Sequence, residues 1–286
     1  MIIDRLYELV AEKGHVCVGL DTCIDYIPKS FSFNFDSIED TLFYFNKKII
    51  DSTFDVVSCY KVQIAFYEAL GIKGLSAYSR TLKYLKSIGA FVIADIKRGD
   101  IASTAQMYAK AHFEGDFESD MITLSPYMGM DSLTPYIPYI KEKEKGAFVL
   151  VKTSNPGSKD IQFLTCENGT KVYEEVANKI IENGRELCGK YNFSSIGAVV
   201  GCTNLEQAIS IRKQMENTFF LIPGYGAQGG TAADIKHLMI NKNGGVVNSS
   251  RAILLAHKNP MFADISFDMA ARKEALKMRS EIADAL

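Results

Sequence analysis

The chain has 286 residues, of which 23% are charged and 47% hydrophobic, and its formal net charge at pH 7 is −2. This composition is that of an ordinary globular protein, so it excludes a disordered or fibrous chain. The balanced charge provides no electrostatic basis for binding nucleic acid or an anionic membrane surface.

No segment has the form of an export signal or the length of a membrane span. The opening residues, MIIDRLYELVAEKGHVCVGLD, lack a basic segment followed by an unbroken apolar stretch. Charges interrupt every later hydrophobic run before about 18 residues, the minimum for a span. The six cysteines are widely spaced and form no CxxC pair, which is typical of reduced thiols. We therefore expect a cytoplasmic protein.

Eight short apolar runs rich in β-branched residues recur along the chain and predict eight strands. Near-continuous apolar runs, rather than alternating ones, are typical of parallel strands that are buried on both faces. The runs are HVCVGLD (15–21), VVSCYKVQ (56–63), AFVIADIK (90–97), MITLSPY (121–127), AFVLVKTS (147–154), IGAVVGCTN (196–204), TFFLIPGYG (218–226) and GGVVNSSR (244–251).

Segments in which apolar residues recur at helical spacing lie between these runs. They include residues 37–50, 77–87, 102–113, 171–187, 205–215 and 232–240. The alternation of strand and helix continues without a Pro/Gly/Ser-rich linker, which predicts one closed (β/α)8 TIM barrel of the α/β class rather than two domains. We therefore expect residues 1–286 to form a single catalytic barrel.

Nearly every predicted strand ends in polar or small residues. In a barrel, the carboxyl ends of all strands meet at one face, where barrel enzymes keep their active sites because the eight βα loops converge there. Every strand must reach the surface somewhere, so a single polar strand end is weak evidence for a functional site. Two lysines and two acids together are stronger evidence for one. These strand ends are Asp21, Lys61, Asp95 with Lys97, Ser125, Ser154, Thr203, Gly224 and Arg251.

The end of the third predicted strand, VIADIKRGDIAST, concentrates four charges. Because side chains alternate along a strand, Asp95 and Lys97 should project to the same side. Lys61 in the second strand is costly to bury unless an acid pairs with it, and the third strand supplies such an acid. Together with Asp100, these side chains would hold charged ammonium groups in place for proton donation and electrostatic stabilisation.

Simpler explanations exist for the individual charges. Asp100 precedes a predicted helix whose Ser103 and Thr104 fit a first turn, where an acid complements the helix dipole. Asp95 with Lys97 could be a solvated ion pair worth about 0–1 kcal/mol. The combination with a lysine inside an apolar strand favours a functional site.

The segment DIKRGDI resembles the Asp-x-Lys-x-x-Asp-Ile signature of the orotidine 5′-phosphate decarboxylase family. VGLD, YKVQ, VKTSNPGS, PGYGAQGG and NSSRAI match other sequence blocks of that family, in order, from the first predicted strand to the eighth. The Arg after the lysine and the STA after the isoleucine are most similar to its second subfamily, found in bacteria and protozoa. The resemblance implies decarboxylation of orotidine 5′-monophosphate (OMP) to UMP, the last step of de novo pyrimidine nucleotide synthesis, without a metal or organic cofactor.

The same resemblance implies four roles around the reacting group. Lys97 would protonate the carbon that loses carbon dioxide, and Asp95 would lie beside the departing carboxylate. Lys61 would hold the network and contact the ribose, while Asp21 would accept a hydrogen bond from a ribose hydroxyl.

The resemblance also implies a homodimer with shared active sites. Asp100 and Ile101, with Thr104 nearby, would reach into the site of the neighbouring subunit. No pattern in the sequence itself indicates that crossing.

Four further residues would bind the substrate, again by resemblance. Ser154 would hydrogen-bond the pyrimidine edge, and Gln228 would bridge base and phosphate. Arg251 would bind the phosphate together with backbone amides of the glycine-rich turn, and Pro223 would shape the loop that carries Gln228. A glycine-rich turn after strand seven, followed by an arginine after strand eight, also fits the usual phosphate site of barrel enzymes.

Other functions stay open from the residues alone. The same acids could ligate Mg²⁺ in a sugar-phosphate decarboxylase or aldolase of this barrel superfamily, and Lys97 or Lys61 could form a Schiff base. A non-catalytic UMP-binding protein is a third possibility. PGYGAQGG contains a GxGxxG pattern, but no acid ends the next strand to hold a dinucleotide ribose. The chain has no GxSxG, and its histidines and cysteines lack zinc spacing.

Overall fold

The computed structural model describes residues 1–202, 205–226 and 229–286. Within these residues, eight parallel strands pair in chain order, and the last pairs with the first to close the barrel. The prediction of a (β/α)8 TIM barrel is confirmed. The strands are β1 (Val16–Gly19), β2 (Cys59–Gln63), β3 (Val92–Arg98), β4 (Met121–Leu124), β5 (Gly146–Lys152), β6 (Ser194–Val200), β7 (Thr218–Ile222) and β8 (Gly245–Ser249).

Helices surround the barrel, and none of those formed by the described residues combines the length and the apolar character that a membrane span requires. The α-helices are α1 (Ile2–Lys13), α2 (Lys29–Ser32), α3 (Ile38–Thr53), α4 (Ala65–Glu68), α5 (Gly71–Ser87), α6 (Ala102–Phe113), α7 (Ile137–Glu142), α8 (Val172–Gly184), α9 (Leu205–Gln214), α10 (Ala232–Lys236), α11 (Arg251–Leu254) and α12 (Phe267–Ala285). Short 3-10 helices span Ile24–Tyr26, Gly115–Phe117, Met130–Tyr136, Pro156–Asp160, Arg185–Leu187, Ala256–Lys258 and Pro260–Phe262.

The predicted helix over 102–113 coincides with α6, but the one over 232–240 is too long. The helix ends at Lys236, and the chain then folds back on itself. The backbone amide of Ile240 donates to the carbonyl oxygen of Asn243 at 2.9 Å, through two residues with positive φ. Already at His237 and Leu238 the backbone amides donate to carbonyl oxygens three residues back, so a tighter turn replaces the α-helix there.

One end of the barrel is closed by an apolar plug. Ile3 and Leu6 of α1 are fully buried and pack with inward-facing strand residues, among them Cys59 and Ile93. Because side chains alternate, the next inward residues after Cys59 and Ile93 are two positions further towards the carboxyl ends of their strands. Those residues are charged, so the apolar filling ends there, and the open end of the barrel begins with polar groups.

Helix α12 packs on the outside of the barrel. The ring of Phe267, at its start, stacks on Phe45 of α3 with centroids 4.9 Å apart. Arg272 donates from Nη1 to the carbonyl oxygen of Ser52 at 2.7 Å. These contacts fix the helix along the barrel wall, and its last turns run beside the loop that follows β7.

Candidate active site

A cavity of about 280 Å³ opens at the carboxyl end of the barrel. Side chains at the ends of β1, β2, β3, β7 and β8 line it, so the loops that meet at this face build it together. Six of the predicted catalytic and substrate-binding residues lie in its wall: Asp21, Lys61, Asp95, Lys97, Pro223 and Arg251.

Four charged side chains form a continuous chain of contacts in this cavity. Lys61 is only 4% exposed, and its Nζ lies 3.0 Å from Oδ1 of Asp21 and 3.0 Å from Oδ2 of Asp95. The other oxygen of Asp95, Oδ1, lies 2.6 Å from Nζ of Lys97. Asp95 and Lys97 therefore meet on one side of the strand, as the alternation predicts. The chain of contacts Asp21, Lys61, Asp95, Lys97 is called the charge network below.

The opposite charges of the network stabilise one another's ionised forms. Burial penalises the ammonium of Lys61, but the carboxylates of Asp21 and Asp95 outweigh this penalty and hold the pKa of Lys61 above its usual value. Burial also opposes ionisation of Asp95, yet Lys61 and Lys97 outweigh it and hold the pKa of that carboxyl below its usual value. Both groups are therefore charged at neutral pH, and their mutual contacts restrict their movement.

Thr123, a residue that the sequence analysis missed, supports the network from β4. Its Oγ1 donates to Oδ1 of Asp95 at 2.8 Å and accepts from the backbone amides of Ile96 at 3.0 Å and Lys97 at 2.9 Å. Lys97 has a φ of 44°, a left-handed conformation that is strained for a residue with a side chain. The only signal for Thr123 is a hydroxyl in the otherwise apolar run MITL.

Ser250 is a second residue missed in the sequence. Its Oγ donates to Oδ2 of Asp21 at 2.8 Å, so Asp21 is held between Ser250 and Lys61. Gly19 makes this approach possible, because an added Cβ would lie 1.9 Å from Oγ of Ser250. The only signal for Ser250 in the sequence is its position directly before Arg251 in the block NSSRAI.

Asp100 lies outside the charge network of its own chain. It is half-buried, and its Oδ1 accepts a hydrogen bond from the backbone amide of Ile101 at 2.9 Å. Ile101, which directly precedes α6, and Thr104, in the first turn of that helix, are exposed. The array predicted with Asp100 therefore forms within one chain with Asp21 instead. The chain leaves β3 at Gly99, which packs against Ser125, and this turn directs Asp100 away from Lys61 and Asp95.

Ser154 and Pro223, two of the predicted substrate-binding residues, follow β5 and β7 at the barrel mouth. Ser154 follows β5 and packs beside Gly201 at the end of β6. Pro223 follows β7, and its carbonyl oxygen accepts a hydrogen bond from Sγ of Cys202 at 3.4 Å. Gln228 lies outside the described residues.

The glycine-rich turn after β7 (residues 224–230), of which residues 224–226 and 229–230 are described, begins beside Arg251 at the cavity. Gly224, Gly226 and Gly229 have φ values of 100°, 67° and 91°, a region that glycine enters without strain. Three of its backbone amides donate within the turn: Gly226 to Gly230 at 2.9 Å, Gly229 to Gly226 at 3.0 Å and Gly230 to Gly224 at 3.2 Å. An anion bound here would use other amides of the turn or change these bonds.

No group of three or more His, Cys, Asp or Glu side chains that could hold a metal ion occurs among the described residues. Asp21 and Asp95 each contact the ammonium of Lys61. Their oxygens are thus engaged with a cation that the chain itself supplies.

Comparison with known proteins gives consistent matches over the whole chain. The sequence model of the family described as "Orotidine 5'-phosphate decarboxylase / HUMPS family" matches residues 14–263. An orotidine 5′-phosphate decarboxylase of Clostridium acetobutylicum is 60% identical over 282 residues, which cover 99% of each chain. One from Clostridium perfringens is 59% identical over 286 residues, covering 100% of this chain and 99% of the relative.

Solved structures agree with the sequence matches. OMP decarboxylase of Leishmania donovani has a TM-score of 0.75 and 30% sequence identity, and the match covers 99% of this chain and 98% of that one. The match to the family model and the identity to full-length relatives point to the same family as the motifs. The chain belongs to the orotidine 5′-phosphate decarboxylase family.

Proposed function

We propose that the protein decarboxylates OMP to UMP, the last step of de novo pyrimidine nucleotide synthesis. The observation that carries this proposal is the charge network at the mouth of a barrel of this family. Full-length relatives about 60% identical bear the name of this activity, which supports it.

The network suggests how the reaction proceeds. The bond from the pyrimidine ring to the carboxylate breaks, carbon dioxide leaves, and the electron pair stays on the ring carbon. An N–H of the Lys97 ammonium then donates its proton to that carbon, which yields UMP and a neutral lysine. The Lys97 side chain is 46% exposed, so water can return the proton. Asp95 fixes the position of this donor before the substrate arrives.

Repulsion between Asp95 and the substrate carboxylate supplies only part of the rate. Two carboxylates about 4 Å apart repel by about 4 kcal/mol at an effective dielectric constant of 20, roughly a thousandfold in rate. The network contains two carboxylates and two ammonium groups, so its formal charges cancel and the repulsion is weaker than this figure. Stabilisation of the developing carbanion by Lys97 must therefore contribute more than repulsion by Asp95.

Binding of the phosphate group, which is remote from the reacting carbon, supplies a further part of the rate enhancement. Arg251 lines the same cavity as Lys97 but belongs to α11, which directly follows β8. A guanidinium can bind a phosphate through two parallel hydrogen bonds. Binding energy from a group that does not react can be used to order the site around the reacting group. We assign this role to Arg251, the glycine-rich turn and Gln228, with Ser154 as the ligand of the pyrimidine edge.

We further propose a homodimer in which each subunit completes the site of the other. Apolar side chains are exposed close to Asp100: Ile101, directly before α6, is 44% exposed, Met107 on α6 is 60% exposed, and Tyr127 after β4 is 82% exposed. The loops after β3 and β4 touch, since the amide of Ser125 donates to the carbonyl oxygen of Arg98 at 2.7 Å. Exposed apolar surface of this kind is typical of a protein interface.

Mixed dimers test this arrangement. Lys97→Ala and Asp100→Ala variants should each be inactive alone. If Asp100 serves the neighbouring site, mixing equal amounts restores about a quarter of the wild-type activity, because half of the dimers contain one intact site. If Asp100 serves its own site, mixing restores nothing.

Two further assignments belong to this proposal. We take residues 1–286 as one catalytic unit, supported by strands that close the barrel from both ends of the chain. We place the protein in the cytoplasm, supported by six cysteines that are all free thiols.

Product analysis tests the proposed reaction. Incubation of the protein with OMP should give UMP and carbon dioxide in equal amounts, measured by chromatography and by trapping of the gas. Intact OMP after prolonged incubation with folded protein, or a product other than UMP, would contradict the proposal.

A further inference from the structure

One side chain links the glycine-rich turn to the outer helix α12. Oη of Tyr225 donates to Oε2 of Glu281 at 2.6 Å. Tyr225 also lines two cavities: the active-site cavity and a second one of about 550 Å³ between the turn and α12. Tyr225 therefore lies between the two spaces, and its hydroxyl is bonded to Glu281, which lines the outer one. Burial, with the nearby Glu281 carboxylate, raises the pKa of Tyr225, so the phenol is a donor at neutral pH.

The turn needs such an anchor because of its composition. Glycine loses more conformational freedom on ordering than any other residue, and residues 224–230 contain four glycines. The hydrogen bonds within the turn join its own backbone and do not fix it to the rest of the molecule. Among the described residues of the turn, Tyr225 is the one whose side chain hydrogen-bonds to a helix.

The other end of the link is rigid. Glu281 lies in the last two turns of α12, a helix of 19 residues. Met278 and Ile282, on either side of it in sequence, are buried against the barrel. Nζ of Lys277 lies 4.0 Å from Oε1 of Glu281, so Oε2 is left for the phenol.

We propose that Tyr225 and Glu281 are positioning residues for the substrate phosphate. Their hydrogen bond holds the glycine-rich turn against α12 before a ligand binds, so that the phosphate meets an ordered turn beside Arg251. Neither residue touches a reacting atom. The inference rests on the proposed function for the identity of the nucleotide, and it adds a link from the phosphate site to a helix outside the barrel.

Removal of the phenol hydroxyl should weaken binding of the nucleotide but not slow the chemical step. In Tyr225→Phe the ring still lines both cavities. The dissociation constant of UMP and the KM for OMP should rise about three- to tenfold, the factor that corresponds to one such hydrogen bond. The kcat should stay within about twofold, because ordering of the turn is lost equally from the bound substrate and the transition state.

Variants of Glu281 remove or weaken the hydrogen bond to Tyr225 without changing the Tyr225 side chain. Glu281→Ala should reproduce the effect of Tyr225→Phe, whereas Glu281→Gln keeps an acceptor oxygen and should have a smaller effect. The double variant Tyr225→Phe/Glu281→Ala should be no weaker in UMP binding than either single variant, because all three lack the same bond. If the losses of UMP affinity in the two single variants multiplied in the double variant, the two residues would act independently, which would contradict the proposed hydrogen-bonded link.

The chain offers a matched control. Oη of Tyr191 donates to Oε1 of Glu8 at 3.1 Å, a bond of the same type near α1 at the closed end of the barrel. Tyr191→Phe should leave the affinity for UMP unchanged. A loss equal to that of Tyr225→Phe would show a general effect of tyrosine hydroxyls and overturn the inference.

Calorimetric titration with UMP and with uridine, which lacks the phosphate, tests whether the effect of Tyr225→Phe depends on the phosphate group. Weaker binding of UMP by Tyr225→Phe with unchanged binding of uridine supports the inference. Equal weakening of both ligands, or none for UMP, overturns it. A wild-type protein that binds UMP but does not decarboxylate OMP would contradict the proposed function alone, because the titrations would still compare the two ligands.

Discussion

The two halves of the active-site cavity are built in opposite ways. On one side, Lys61 and Asp95 of the charge network are buried, and each carboxylate of the network and the ammonium of Lys61 have partners within 3.0 Å. On the other side, the described part of the glycine-rich turn consists of glycines and Tyr225, and the exposed hydrogen bond of the Tyr225 hydroxyl joins it to a helix. The network is fixed before the substrate arrives, whereas the turn depends on a few weak contacts for its order.

The difference follows from what each half must do. Charges that stabilise a transition state are effective only if they need not reorganise during the reaction, so they are held by other charges. A phosphate site needs close approach of the backbone, which glycine permits at the expense of order. Substitutions in the network should therefore affect kcat and stability, and substitutions around the turn should affect binding.

The largest effect should come from the proton donor. Lys97→Ala should lower kcat at least about a thousandfold, because it removes general acid catalysis and stabilisation of the carbanion. UMP should still bind, since Lys97 is half-exposed and the phosphate site is untouched. Steady-state kinetics and a UMP titration measure the two properties. Lys86→Ala, which removes an exposed lysine of α5, is the control, and appreciable residual turnover in Lys97→Ala would contradict the assigned role.

The next largest effect concerns the stability of the network. Asp95→Asn leaves Lys61 with one carboxylate and Lys97 with none, so the free energy of unfolding should fall by about 3 kcal/mol. Denaturant unfolding measures it. Asp116→Asn breaks a surface pair with Lys83 and should change it little. Equal or greater stability of Asp95→Asn would show that the network is strained rather than mutually stabilised.

Loss of the phosphate ligand should have an intermediate effect. Arg251→Ala should lower kcat/KM on OMP about a hundredfold, the factor expected for charge-assisted hydrogen bonds to a phosphate, although Arg251 touches no reacting atom. Arg272→Ala removes an arginine paired with Asp55 on the outer helix and is the control. An unchanged kcat/KM in Arg251→Ala would contradict the assignment of the phosphate site to Arg251 and the glycine-rich turn.

The smallest effect is in the pH dependence of stability. The pKa of Asp95 is lowered by folding, so its contribution is complete above about pH 4 and is lost as the pH falls through the folded-state pKa. The pKa of Lys61 is raised, so its contribution is complete below about pH 10 and is lost as the pH rises further. Denaturant unfolding at several pH values should show the difference between wild type and Asp95→Asn shrinking below about pH 4. A constant difference would contradict this.

The sequence predicted the fold because parallel strands buried on both faces have a distinctive pattern. All eight apolar runs contain the observed strands in part or whole, although β1 and β4 are four residues each and end before their polar residues. The pattern did not reveal that α1 closes the barrel, since an amphipathic segment does not show what it packs against.

The contacts of the site were predictable where one strand decides the geometry, as for Asp95 with Lys97, or where a buried charge requires a partner, as for Lys61 with Asp95. Other contacts between strands were not predictable. Alternation along β3 places Asp95 beside Lys97. The contact of Asp21 with Lys61 depends on the register of β1 against β2, and that of Thr123 with Asp95 depends on an irregular pairing of β3 with β4. No pattern within one segment encodes these registers.

The central claim is that the charge network carries the reaction with groups that the chain itself supplies. The most direct test is the initial rate at which OMP absorbance declines when wild-type protein is added in EDTA, compared with the rate in added Mg²⁺. Equal rates are expected, because the groups that carry the reaction belong to the chain. No decline in EDTA by folded, dimeric protein, with activity restored by Mg²⁺, would contradict it and favour a metal-dependent enzyme of the same barrel superfamily.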